Sequence, residues 1–337
     1  MKKIPYGLTD LKLIIEEDYY YIDKTRFLPE IEATGRFLFL IRPRRFGKSL
    51  WLATLELYYD LYYKEDAEKL LKNTWIGQHP TKERSQYLVL KFNFSAVNPA
   101  ESKLERSFEE HCDEVYSEFM KKYKDILPKY FVSKLEQKSS PSSKFEFIFT
   151  EVKALHHKLY VIIDEYDNFA NTILSERDGK NRYLRLTRGE GFFRHFFNKL
   201  KTGTTGNNAP VTRSFITGVS PVTMDDVTSG YNIGKNITTD FSLNEIIGFT
   251  NDEVLKMLQY YGKYAHFDIE QLMPVLSDWY NNYRFSKKAR LELFNSDMIL
   301  YFIDKYLSEN ELPDSFIDDN AKTDYKKLQH MITLDRQ

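Results

Sequence analysis

Cysteine is nearly absent from this chain of 337 residues: Cys112 stands alone, which excludes an intramolecular disulfide. Long apolar runs are missing too. The longest, FLFLI (Phe37–Ile41) and LYVII (Leu159–Ile163), are strand-length, far short of the ~20 residues that cross a bilayer, so no membrane-spanning role is expected. The opening MKKIPYGLTDLKLIIEEDYY soon meets charge, where a secretory signal needs an apolar core, and the chain is therefore expected to be cytoplasmic. An excess of charge is lacking as well. A formal net charge of -1 gives no global attraction to nucleic acid or anionic membrane, although a local basic patch fits within a balanced total. No internal repeat or coiled-coil heptad is evident.

What is present is an ordinary globular composition, 42% hydrophobic and 29% charged, sufficient for one large domain and a smaller one. The 24 Tyr and 25 Phe often fall at helical spacing, as in FFRHFFNKL, and read as packing rather than as a base-stacking platform. Strand-like runs at Phe37–Ile41, Tyr87–Phe94, Leu159–Ile163 and Val211–Thr217 alternate with amphipathic helical stretches near Lys48–Asp60, Ala100–Lys124, Lys144–His156 and Glu190–Lys201. That alternation predicts an α/β fold with a parallel sheet covered by helices. Leu104, Phe108, Cys112, Val115 and Phe119 share one helical face, which makes Cys112 a core thiol. Lys138–Lys144 and Thr202–Pro210 read as surface loops. From Thr250 the strand signals thin and helical patterns take over (Asn251–Tyr261, Ile269–Tyr280, Ser296–Leu307), placing a domain change between residues 249 and 250.

Chemistry concentrates at two strand ends. The run Phe37–Ile41 is followed by a turn, Arg42-Pro43-Arg44-Arg45-Phe46-Gly47, and by a helix opening Lys48-Ser49-Leu50. This is the strand–loop–helix context of a phosphate loop. A helix start presents free N–H groups to phosphate, Gly47 permits close backbone approach, Lys48 reaches the outer phosphates and Ser49 ligates Mg²⁺. The loop departs from G-x-x-x-x-G-K-[ST] at its first position, where Arg42 replaces glycine, and Pro43 fixes one φ. Taken alone, Gly-Lys-Ser fits a basic helix start equally well. The second strand, Leu159–Ile163, runs into Asp164-Glu165 at its carboxyl end, where open α/β sheets place ligands. This has the form of a Walker B element, with Asp164 toward Mg²⁺ and Glu165 as general base for water. Asp167 and Asn168 read as turn residues. After Val211–Thr217 comes Thr217-Gly218-Val219-Ser220. In ATPases with a glutamate after the Walker B aspartate, the corresponding strand carries a polar γ-phosphate sensor, for which Thr217 is the first candidate and Ser220 the second.

These residues resemble the bacterial and archaeal AAA-like ATPase domain family, a divergent branch of P-loop ATPases. The resemblance is carried by Tyr21-Ile22-Asp23-Lys24-Thr25, by Arg42–Ser49 in the form RPRRFGKS, by Ile162–Asp167, by Thr217–Pro221 with Gly248-Phe249-Thr250, and by Trp279–Phe285 with Asn295-Ser296. It implies that the absent first glycine is normal for the family, that Asp23, Lys24 and Thr25 lie near the base or entrance of an ATP pocket, and that the sheet runs in the order 2-3-4-1. It also implies a helical or winged-helix lid after Thr250. Many members of the family continue into a PD-(D/E)XK-type nuclease domain, of which this chain shows no signature.

The function expected on these grounds is a Mg²⁺-dependent ATP-binding and ATP-hydrolysing switch or motor that controls a partner protein or effector domain. Lys48, Glu165, Arg45 and Thr217 carry the chemistry, and Ser49 and Asp164 hold the metal. Arg42, Arg44 and Arg45 either neutralise the γ-phosphate or organise the loop, with Arg45 favoured for the former, while Arg185, Arg188 and Arg194 are candidates to reach a neighbouring subunit. The alternative is a non-hydrolytic nucleotide-bound scaffold of a defence or mobile-element system, contacting protein or nucleic acid through Lys138–Lys144 or Arg182–Arg194. Oligomeric state stays open between a ring and a monomer.

Overall fold

The structure is a computed structural model that describes residues 1–174, 191–220, 231–265, 267–309 and 311–317. Arg182, Arg185, Arg188 and Pro221 lie outside the described residues. A parallel sheet forms from β1 (Phe37–Ile41), β2 (Leu88–Asn93), β3 (Leu159–Asp164), β4 (Val211–Gly218) and β5 (Lys235–Asn236), in the order β2-β3-β4-β1-β5. The four longer strands take the expected order. The fifth is a two-residue exposed edge, too short and polar to register in an apolar pattern.

Among the described residues the α-helices before β4 are α1 (Leu11–Glu16), α2 (Leu28–Thr34), α3 (Lys48–Tyr59), α4 (Lys64–Leu70), α5 (Trp75–Gln78), α6 (Leu104–Lys122), α7 (Phe131–Glu136), α8 (Pro141–Ala154), α9 (Asn168–Leu174) and α10 (Phe192–Gly203). They cover both faces of the sheet. Successive strand side chains point to opposite sides, so along β3 Leu159, Val161 and Ile163 enter one core with α6, α8 and α10, whereas Tyr160 and Ile162 enter the other with α2 and α3. With both faces buried, β3 is apolar at every position up to its terminal aspartate. Full burial of each such side chain contributes about 1.5–3 kcal/mol. Cys112 is wholly buried on α6, and desolvation pushes its thiol pKa up; it is a packing residue. Lys138–Lys144 is not simply a loop: Ser140 caps α8 through a reciprocal bond with Ser143, and Pro141 takes the first helical position. Serine and proline mark turns, but they are equally the residues that start helices.

After β5 come α11 (Asn251–Tyr261), α12 (Ile269–Tyr280), an antiparallel ribbon of β6 (Asn281–Tyr283) and β7 (Leu293–Phe294), and α13 (Ser296–Glu309). Thr250 caps α11 with Glu253 in a capping box. These helices share a third core around Met257, Leu276 and Phe302, joined by Ile4, Tyr6, Tyr20 and Ile22 from the start of the chain. Among the described residues no helix is long and apolar enough to cross a membrane.

Candidate functional site

Strand β1 delivers the chain into the loop Arg42–Gly47, and Arg42 N–H donates to Gly218 O at 3.1 Å, which carries the β1–β4 pairing one step further. Arg45 and Gly47 both adopt positive φ, 68° and 88°. The turn that a first glycine would ease is thus made with a left-handed arginine three positions later. Gly47 is the N-cap of α3 and contributes no side-chain cap, so the first-turn N–H groups and the positive end of a twelve-residue helix face the loop's concavity.

The register of the sheet brings the second element alongside. Strand β4 lies between β1 and β3, with Thr217 opposite Leu40. Thr217 Oγ1 donates to Asp164 Oδ1 at 2.7 Å, Ser49 Oγ donates to Asp164 Oδ2 at 2.6 Å, and Glu165 N–H donates to Asp164 Oδ1 at 3.0 Å. One buried carboxylate therefore ties the loop helix to two strands. Lys48 is buried and folds back so that Nζ donates to Arg42 O (3.0 Å) and Pro43 O (2.9 Å). Burial lowers its pKa, opposed by the charges of Asp164, Glu165 and Asp167. Glu165 stands at φ 49°, and burial, then Asp164, raises its carboxyl pKa.

A cavity of about 500 Å³ opens over this loop, within the size range of small-molecule sites. Its polar floor includes Arg44, Arg45, Lys48, Ser49 and Glu165. One wall is the amino-terminal segment at Gly7 and Tyr20–Ile22; another comes from Ile246–Phe249 and from Ser296, Asp297 and Leu300 of α13. Leu50 and Phe46 also line it.

The remaining predicted residues divide. Lys24 lines the cavity and is held by Glu253 at 2.6 Å, with burial lowering its pKa against that partner's pull. Asp23 and Thr25 turn elsewhere: Asp23 accepts from Trp75 N–H (2.6 Å) and Thr25 Oγ1 from Ile76 N–H (3.1 Å), so both serve the start of α5. Arg42 is not among the residues that line the cavity. Its fully buried guanidinium donates to Thr238 O (2.6 Å) and Leu243 O (3.4 Å) and stacks 3.8 Å from the Phe285 ring centre; desolvation pushes its pKa down to about 9. Asp167 is more than a turn residue. Buried, it accepts from the N–H groups of Val219 (3.0 Å) and Ser220 (2.5 Å) and thereby shapes the end of β4.

Sequence reasoning missed how closely the later part of the chain grips the loop. Ser296 Oγ and Asp297 N–H each donate to Arg45 O at 3.2 Å, Gly248 N–H donates to Phe46 O at 3.1 Å, and the Phe46 ring packs against Tyr283 and Phe285. Only the phenylalanine inside an otherwise charged loop signals that a partner surface exists.

The parallel sheet, the uncapped helix start and the acidic end of β3 define an α/β domain compatible with the P-loop type. Comparison with known proteins assigns the family: residues 5–228 match the family described as Predicted AAA-ATPase, and the chain belongs to it. Membership points to ATP as ligand and, typically, to Mg²⁺. The chain is also similar to a protein of Azotobacter chroococcum mcd 1 described as an uncharacterized protein in the vnfD 5′ region, 26% identical over 310 residues. That alignment covers 89% of this chain and 52% of the relative, so the chain spans about half the relative's length.

Proposed function

We propose that the chain binds ATP over the Arg42–Ser49 loop, hydrolyses it with Mg²⁺, and uses the cycle to reposition its C-terminal part and a partner or effector domain. The observation that carries this reading is the sharing of Asp164 between Ser49 Oγ and Thr217 Oγ1, at 2.6 and 2.7 Å, beside Lys48. A hydroxyl and a carboxylate oxygen are the hard ligands that Mg²⁺ takes, and they fit that ion here. Bound there, Mg²⁺ would neutralise charge on the phosphate oxygens.

Lys48 leaves its two loop carbonyls and donates to the outer phosphates, while the α3 N–H groups donate to phosphate oxygens. Glu165 takes the proton of a water that attacks the γ-phosphorus in line, the bond to the ADP oxygen breaks, and ADP and phosphate result. Burial raises its pKa, which makes the carboxylate a stronger base. Thr217, already hydrogen-bonded to Asp164, senses the γ-phosphate through it. Arg44 and Arg45, both at the cavity floor, offset phosphate charge; Arg42 organises the loop.

Residues 1–249 act as the ATPase domain in this reading, and residues 250–337 as a helical or winged-helix lid whose α13 forms part of the cavity wall through Ser296, Asp297 and Leu300. A cytoplasmic place of action suits an ATP-driven switch. Turnover of ATP by the purified chain with and without Mg²⁺, beside Asp164→Asn, tests the proposal. Turnover that needs the metal and is lost in the variant supports it, and metal-independent turnover that survives the substitution contradicts it.

A further inference from the structure

Helix α13 places an acidic side chain in the cavity wall, beyond residue 228 where the family match ends. Asp297 Oδ2 lies 2.9 Å from Arg45 Nη1, and both side chains are about four-fifths buried, 18% and 22% exposed. The same two residues are joined by backbone, Asp297 N–H to Arg45 O, and Ser296 Oγ donates to that carbonyl as well. Asn295 Nδ2 reaches Arg44 O at 3.4 Å. Thus three consecutive residues, Asn295 to Asp297, at the start of α13 fasten the two arginines that line the cavity.

We propose that Arg45 and Asp297 form an exchangeable latch: Asp297 competes with nucleotide phosphate for Arg45, and phosphate binding releases the start of α13 from the loop. The inference rests on the reading of the cavity as an ATP site. Three features favour exchange over a fixed structural pair. Arg45 is held in a left-handed backbone conformation at φ 68°, which a non-glycine residue adopts only where the surroundings impose it. Asp297 lies in the first turn of α13, so the helix dipole continues to stabilise its charge after Arg45 leaves. Both side chains border the cavity, so the arginine changes partners by rotating toward an anion rather than by crossing the core. A ligand shifts such an equilibrium only through a difference in affinity for the two states, and the two anions competing for one guanidinium supply that difference. Asp297 is in this sense a positioning residue that sets nucleotide affinity from the cavity wall.

The test is equilibrium binding of Mg²⁺-ATP and Mg²⁺-ADP to wild type and Asp297→Asn, with hydrogen exchange of the wild-type chain as a measurement independent of any substitution. Removing the competitor's charge tightens Mg²⁺-ATP by about two- to fivefold, the range of a partly exposed ion pair, whereas a purely structural aspartate would weaken binding when replaced. In wild type, Mg²⁺-ATP speeds amide exchange at Asp297–Ile299 while slowing it in the first turn of α3. Unchanged or weaker binding by the variant, or slower exchange at α13, overturns the latch and leaves the ATP site standing. Absence of Mg²⁺-ATP binding by both proteins overturns the latch together with the site reading on which it rests.

Discussion

Thr217 Oγ1 lies 2.7 Å from Asp164 Oδ1, across the pairing of β4 with β3. Both residues are buried, and the acceptor is an oxygen that also takes the Glu165 N–H. Because the other oxygen of Asp164 is held by Ser49, a change at Thr217 is transmitted to the start of α3. Thr217→Val is expected to destabilise the fold by about 0.5–1.5 kcal/mol, the net worth of one hydrogen bond, because Asp164 Oδ1 keeps the Glu165 N–H, and to reduce turnover more than ATP affinity. Thermal unfolding and steady-state kinetics on the same preparation check this; a variant as stable and as active as wild type would count against the shared carboxylate.

Glu165 carries a pH prediction. Its pKa is raised in the folded state, by burial first and by Asp164 second. A raised carboxyl pKa means that the folded chain holds the proton more tightly than the unfolded one, so ionisation costs stability. The penalty is absent below the ordinary carboxylate range, grows as pH rises through the raised value, and is complete above it. Glu165→Gln should therefore melt higher than wild type at neutral pH, with the difference closing in acid. Turnover should climb with pH through the same window in wild type and be lost in the variant. Equal melting temperatures at neutral pH would remove the electrostatic argument.

Gly218 is required for close approach rather than for flexibility. A Cβ there would meet the Tyr166 ring at 2.3 Å and Asp167 Oδ1 at 2.6 Å. Gly218→Ala forces apart the Tyr166 and Asp167 contacts that shape the end of β4, and overpacking of this kind costs about 1–3 kcal/mol. Denaturant unfolding should report that loss, together with weaker ATP binding. Stability within a few tenths of a kcal/mol of wild type would show that the neighbours yield freely.

Much of this architecture can be read from sequence because the sheet is covered on both faces. Strands β1 and β3 are continuous apolar runs for that reason, and α11 and α12 follow from amphipathic period plus the Thr250 and Asp268 caps. Strand β5 escapes notice because its two residues are exposed and polar. At the site, Ser49, Asp164 and Thr217 are locatable as strand-end and helix-start residues. The fate of the arginines is not. Arg42 is held by carbonyls of Thr238 and Leu243 and by the face of Phe285, and Arg45 by Asp297. Each partner lies about two hundred residues or more away along the chain, and local pattern carries no information about contacts of that range.

The most direct test of the central claim is Mg²⁺-ATP binding and turnover by the purified chain beside Lys48→Ala and Glu165→Gln. Wild type is expected to bind and hydrolyse ATP, Lys48→Ala to lose binding, and Glu165→Gln to bind but turn over slower by about 10²–10⁴-fold. Wild type that neither binds nor hydrolyses ATP, or a Lys48→Ala variant that binds it as well as wild type, would contradict the account.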